Sequence, residues 1–203
     1  MDQITGNNIS VEDSFNELAK KVLNTNINAL METYSLIREE KMDQAIRMLY
    51  EARRIFFYGV GASMLTAMKA MNKFLRIENK VVCIQDSHMQ AMAAATMTPD
   101  DAAIVFSYSG ATKDTIHVAR VAKKAGAKII CITRFVKSPL SSYADVTLLS
   151  GANEGPLQGG STSAEISQLF LVDLIYTEYY RRYFDKCSQN NERTSASVLE
   201  KLC

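Results

Sequence analysis

The stretch AIVFSYSGATKDT, residues 103–115, sets the problem posed by this chain. Ala102 to Phe106, which leads into it, has the length and apolar character of a buried strand. It empties into Ser107-Tyr108-Ser109-Gly110-Ala111-Thr112, and a pattern with helical spacing follows at once. A helix start offers unpaired backbone N–H groups and the positive end of a dipole. A glycine lets the backbone approach an anion closely, and the hydroxyls of Ser107, Ser109 and Thr112 add donors that turn toward phosphate oxygens. Thr115, one turn further on, adds another. A serine-rich turn with an ordinary N-cap accounts for one or two of these residues, but not for the cluster. The expectation is a nest for a phosphate.

The same alternation extends on both sides of this stretch. Ile55-Phe56-Phe57-Tyr58 reads as a strand and runs into Gly59-Val60-Gly61-Ala62-Ser63, with a helix to about Arg76. Val81 to Ile84, Lys128 to Ile132 and Val146 to Leu149 read as further strands. Helical patterns follow from His88 to Met97, up to Ala125, and briefly from Pro139. After a loop from Gly151 to Gly160, an apolar helix runs to about Phe184. Five short apolar strands alternating with helices predict an α/β fold: a three-layer αβα sandwich around a five-stranded parallel sheet. Ligands in such sheets bind beyond the carboxyl ends of the strands. Both glycine-containing loops lie at carboxyl ends and are expected to be neighbours in space.

Ahead of the sheet, residues 1–9 are polar and expected to fray. Ser10 and Asp13 resemble a capping box for a long helix, with Phe15, Leu18, Val22, Leu30, Tyr34 and Ile37 near a period of 3.6. A shorter helix follows, with Ala45, Ile46, Leu49 and Ala52 on one face. Residues 1–39 therefore read as an N-terminal segment, 40–184 as the sheet domain, and 185–203 as a polar tail whose run SQNNERTSAS is expected to be mobile.

Composition narrows the classes. The chain has 203 residues, 47% of them hydrophobic, and a formal net charge of +1. That is one domain with enough apolar surface for a sizeable core. Near-neutral charge leaves no electrostatic footprint for nucleic acid or an anionic membrane. No apolar run reaches transmembrane length, and MDQITGNNIS lacks the regions of a signal peptide. Cys83, Cys131, Cys187 and Cys203 are widely spaced, and reduced thiols in a cytoplasmic protein are the simplest reading. No His, Cys and Asp cluster has metal-ligand spacing, and no cofactor is expected. Gly59-x-Gly61 with Asp86 beyond the next strand suggests a dinucleotide fingerprint, but Met64 stands where the third glycine belongs.

Gly59-x-Gly61-x-Ser63 followed by Ser107-x-Ser109-Gly110-x-Thr112 resembles the sugar isomerase (SIS) domain family, over about residues 40 to 184. The resemblance implies a flavodoxin-like parallel sheet and a dimer or larger assembly. It implies that Ser107, Ser109 and Thr112 hold a sugar's phosphate with the Tyr108 amide assisting, and that Ser63 touches the ligand from the first loop. Gly61, Gly110 and Thr115 belong to the same implied site. Within the family the chain is most similar to the effector-binding half of RpiR-type transcriptional regulators. The phrases FFYGVGAS, QDSHMQAMAAATMTPDD, VFSYSGATKDTIHVARVAKKAGAKIICIT and SPLSSYADVTLL carry that likeness. Those regulators place a helix-turn-helix domain ahead of this segment. The first fifty residues here are more acidic than basic, so that domain is expected to be absent, and DNA to be reached only through it. The implied partners are a sugar phosphate and further copies of the chain, as a homodimer or tetramer, with no membrane.

Sensor and isomerase remain the two functional readings, with a bare anion-binding scaffold as a third. Isomerisation needs a base that moves a proton between adjacent carbons. Glu165 is the candidate, with three readings: a helix-dipole partner, a contact to a ligand hydroxyl, or that base. Sedoheptulose phosphate isomerases of the family carry a Glu and, two positions later, a His. Here Ile166 and Ser167 follow Glu165. His88, in Gln85-Asp86-Ser87-His88, reads as a surface residue at a helix start, as a sugar contact reaching a neighbouring subunit, or as a ring-opening acid. His117 reads as solvated. Met64, Met68, Met71, Met89, Met92 and Met97 read as core and subunit packing. Asp173, inside an apolar helix, reads as a paired structural acid. The preferred expectation is a phosphosugar sensor that is not an enzyme.

Overall fold

The computed structural model describes residues 9–152, 162–199 and 201. Helices α1 (Phe15–Leu36) and α2 (Glu39–Glu51) precede the alternating part. That part runs β1 (Ile55–Tyr58), α3 (Ala62–Phe74), β2 (Val81–Cys83), α4 (Ser87–Ala95), β3 (Ala102–Phe106), α5 (Lys113–Lys124), β4 (Lys128–Thr133) and β5 (Val146–Leu149). Helices α6 (Thr162–Arg182) and α7 (Phe184–Leu199) follow. The strands form one parallel sheet in the order β2-β1-β3-β4-β5. Alternate side chains of each strand enter opposite layers. Ile55, Phe57, Ile104 and Phe106 pack against α2, α3 and α6, while Phe56, Tyr58, Ala103 and Val105 pack against α4 and α5. This is the three-layer sandwich that the sequence predicts.

Asp101 ties the starts of the two central strands together. It immediately precedes β3, and its carboxylate accepts from the Arg54 guanidinium, just before β1, at 3.1 and 2.8 Å. The Thr98 amide and hydroxyl reach the same carboxylate at 2.8 and 3.0 Å. Burial alone would raise this carboxyl, but the Arg54 and Thr98 bonds outweigh burial and hold it at about 2.

Three expectations for the flanks are corrected. The capping box is Ser14 with Glu17 rather than Ser10 with Asp13. Asp13 still folds back on the Ser10 amide at 2.9 Å, but as a turn ahead of the helix. Second, α1 buries Ala29 and Thr33, while Phe15, Val22 and Tyr34 of the anticipated stripe are exposed. The small residues face inward because α1 lies against backbone: a Cβ on Gly151 would stand 2.7 Å from the Thr33 nitrogen and 2.8 Å from the Ala29 oxygen. Third, the tail expected to be mobile is helical to Leu199. Long-range contacts hold it: Cys187 is buried, and Lys186 pairs with the buried Glu78 at 2.6 Å. Asn190 donates to the Ile77 carbonyl at 2.9 Å. Residues 1–8, most of the loop ahead of α6 and Cys203 lie outside the described residues. Among the described residues no helix is long and apolar enough to cross a membrane.

The depressed Asp101 carboxyl has a consequence for acid stability. A lowered folded-state pKa gives stability that is present above the unfolded value of about 3.9 and is lost as pH falls toward about 2. Urea unfolding should therefore lose about 2 kcal/mol more in the wild type than in Asp101→Asn between about pH 5 and about pH 2. Parallel losses in the two proteins would show that this carboxylate does not stabilise the fold.

Candidate functional site

Pairing of β1 with β3 places the two loops side by side. The register sets Tyr58, the last residue of β1, beside Val105, one residue short of the end of β3. The Gly59–Ser63 loop and the Ser107–Thr112 loop therefore leave the same edge as neighbours, as expected. Their helices then diverge, with α3 on one face of the sheet and α5 on the other. The result is a crevice at the point where the strand order reverses.

The hydroxyl loop is held from below. Ser107 extends the sheet by one bond, its amide donating to the Ile132 carbonyl at 3.0 Å, and its side chain is buried. Gly110 turns the chain with φ +61, and a Cβ there would collide with the Ser138 side chain. Only glycine meets both conditions without strain. The Gly110 carbonyl accepts from the Leu140 amide at 2.9 Å, and the Ser109 hydroxyl accepts from the Ala111 amide at 3.2 Å. Thr112 is the N-cap of α5, yet its side chain makes no capping bond. The first amides of α5 and the exposed Thr112 are thus presented outward, an arrangement suited to an oxyanion. Thr115 is buried and its hydroxyl donates to the Thr112 carbonyl at 2.9 Å, which braces the turn.

Tyr108 faces a different way from its serine neighbours. Its hydroxyl donates to the Ala152 carbonyl at 2.7 Å. Its own carbonyl accepts from the Arg134 amide at 2.9 Å and the Thr133 hydroxyl at 3.0 Å. Its ring packs against Ala29, Ala152 and Ala164, which joins the loop to α1 and to the first turn of α6. Glu165 follows Ala164 in that turn and is half-buried.

The first loop is built for close approach. A Cβ on Gly59 would stand 2.6 Å from the Ser63 carbonyl oxygen, and Gly61 adopts φ +58 as the N-cap of α3. Ser63 lies half-buried in the first turn of α3. Gln90 on α4 is buried and donates to the Gly59 carbonyl at 3.0 Å, so one helix anchors the loop that leads into another. Asp86 accepts from the Met89 amide at 2.8 Å and caps α4, which accounts for that acid without a ribose.

His88 is exposed at the start of α4. Together with Ser87, Met92, Asp114 and His117 it lines an open groove of about 460 Å³ between α4 and α5. Both histidines of the chain thus share one groove, which sequence spacing did not reveal. His117 is exposed, as expected, and lies 3.1 Å from Arg120. Met64 and Met97 are buried, whereas Met89 and Met92 are exposed on α4. Asp173 is on the solvent face of α6 and pairs with Lys73. Burial pushes the Cys131 thiol up to about 12 and the Cys83 and Cys187 thiols up to about 11, so these are poor nucleophiles. Gln90, Thr133 and Ser138 support the loops and were not singled out from sequence. The only signal for them was position near a strand's carboxyl end.

Known proteins resemble this chain in sequence and fold. The SIS domain family profile matches residues 48–178. An uncharacterised HTH-type transcriptional regulator of Haemophilus influenzae is 37% identical over 183 residues, covering 90% of this chain and 64% of that protein. The HTH-type transcriptional regulator RpiR of Escherichia coli K12 is 32% identical over 197 residues, covering 97% of this chain and 67% of that protein. The chain thus spans about two thirds of the length of these relatives. Vibrio vulnificus NanR, solved in complex with ManNAc-6P, superposes with a TM-score of 0.88 at 26% identity, covering 93% of this chain and 71% of that one. These matches show that the chain, with its two loops at the switch point of a five-stranded parallel sheet, belongs to the SIS domain family and is of the RpiR type within it.

Proposed function

We propose that this chain is the phosphosugar-sensing effector domain of an RpiR-type transcriptional regulator. The observation that carries the reading is the open N-terminus of α5. An uncapped helix start, backed by a glycine with a positive φ and flanked by Ser109 and Thr112, offers donors to a phosphate dianion. The adjacent Ser63 loop and the half-buried Glu165 are suited to reading the sugar. The similarity to NanR, whose solved complex contains ManNAc-6P, supports a sugar phosphate as the ligand class. Binding would shift the population between arrangements of the assembly and so reposition a helix-turn-helix domain attached ahead of α1. A cytoplasmic setting and DNA contact through that domain alone go with this reading.

Isomerisation is the second reading, and Glu165 in the first turn of α6 is the observation that favours it. A lone carboxylate abstracts a proton only when a partner stabilises the developing charge. The chain carries Ser167 two positions after Glu165, where the heptose isomerases place their histidine. His88 lies in the groove between α4 and α5 and would serve a sugar there or one brought by a second copy. The regulatory relatives favour sensing without turnover.

The chain should associate. Phe15, Val22, Met31 and Tyr34 on α1, Leu65 on α3 and Met89 and Met92 on α4 are all exposed. So many large apolar side chains left exposed on three helices are suited to contact with another chain. Sedimentation should give a dimer or tetramer at micromolar concentration, and a monomer would remove the shared-site reading of His88. A panel of hexose and pentose phosphates should give unequal thermal shifts, identifying the preferred sugar. For that sugar, Ser109→Ala with Thr112→Val should weaken binding by roughly 2–4 kcal/mol in calorimetry. Unchanged affinity would move the phosphate elsewhere. In deuterated water the protein should leave the carbon next to the sugar's carbonyl unexchanged. Exchange abolished by Glu165→Gln, with binding kept, would make the protein an isomerase.

A further inference from the structure

Two hydrogen-bonded arms lead from the hydroxyl loop to a single side chain on α1. The first runs through Tyr108, whose hydroxyl donates to the Ala152 carbonyl at 2.7 Å, and then from the Ala152 amide to the Glu32 carboxylate at 3.2 Å. The second runs from the Tyr108 carbonyl to the Arg134 amide at 2.9 Å, and from the Arg134 guanidinium to the other Glu32 oxygen at 2.6 Å. Glu32 and Arg134 are both largely screened from solvent, with side-chain exposures of 34% and 22%. Beside them the Gly151 amide donates to the buried Thr33 hydroxyl at 2.8 Å, so the backbone after β5 lies directly on α1. Ala152 stands at φ +111, a conformation that an alanine holds only under restraint.

We infer that this bridge is a conformational relay: phosphate seated on the hydroxyl loop tightens the docking of α1 through Tyr108, Ala152, Arg134 and Glu32. The inference rests on the anion-site reading above and deepens it by naming the path. A phosphate held by Ser107, Ser109 and Thr112 immobilises the peptide units on either side of Tyr108. Fixing Tyr108 fixes both the acceptor at Ala152 and the backbone of Arg134. Each then holds Glu32 with less loss of freedom, so α1 docks more firmly without any new contact of its own. Reciprocity follows, because whatever firmness phosphate confers on α1, a docked α1 returns to phosphate as affinity.

Amide hydrogen exchange read by mass spectrometry tests this with inorganic phosphate as the probe, at tens of millimolar, against chloride of equal ionic strength. In the wild type, phosphate should slow exchange in residues 107–115 and slow residues 29–36 by about fivefold or more. In Glu32→Ala the slowing of 107–115 should persist, that of 29–36 should vanish, and phosphate affinity should fall by the same factor. Gly151→Ala, whose Cβ would stand 2.7 Å from the Thr33 nitrogen and 2.8 Å from the Glu32 Cβ, should uncouple α1 in the same way by displacing the helix and Glu32 with it, every relay side chain being kept. Glu17→Ala, at the far end of α1, should behave as wild type. A loop that responds while residues 29–36 do not, or a response of α1 that survives both uncoupling variants, overturns the relay alone. A loop that ignores phosphate overturns the anion site, and the relay with it.

Discussion

The parallel pairing of β1 with β3 is the constraint on which the rest of the molecule depends. The strand between them in sequence, β2, lies on the outer side of β1, so β1 and β3 become neighbours although a helix, a strand and another helix separate them. Their own helices must then depart to opposite faces, and a crevice opens where they part. Asp101 and Arg54 fasten the pair at one end, and the glycine loop and hydroxyl loop leave it at the other. A slip of one residue in this pairing would turn Phe57 and Ile104 out of their layer and would separate the loops.

The site itself is made mostly of neutral donors. In the proposed phosphate site, hydroxyls, backbone amides and the end of a helix dipole would take the part that a lysine or arginine plays elsewhere. Such a site fixes orientation more strongly than it attracts charge from a distance. That is consistent with a chain whose formal net charge is only +1 and with the sensing role proposed for it.

Strands β1, β3 and β5 were legible to the residue because each is a short apolar run bounded by turn residues, and burial on both faces leaves such runs few other fates. The hydroxyl loop was legible because its chemistry is local: strand end, glycine and helix start are contiguous. What escaped depended on distant partners. Helix α7 carries Ser, Asn and Thr residues that do not favour a helix, and it forms because Glu78 and the Ile77 carbonyl meet Lys186 and Asn190. The inward face of α1 was misjudged because large apolar residues were expected to be buried, whereas contact with a bare backbone selects Ala29 and Thr33. Gln90 and Ser138 have no signature in one dimension. Ser138 becomes visible through the collision it would make with a Cβ on Gly110, and Gln90 through its bond to the Gly59 carbonyl.

Ala152 gives the bridge to α1 a particular character. A glycine would occupy φ +111 with little penalty, and the junction could then deform by degrees. An alanine resists, and stays there because Tyr108 pulls on its carbonyl while Glu32 holds its amide. Once either grip is lost, the residue gains about 1–3 kcal/mol by leaving. In the proposed relay such a joint would act as a latch with a threshold, α1 being seated or released and intermediate settings thinly populated.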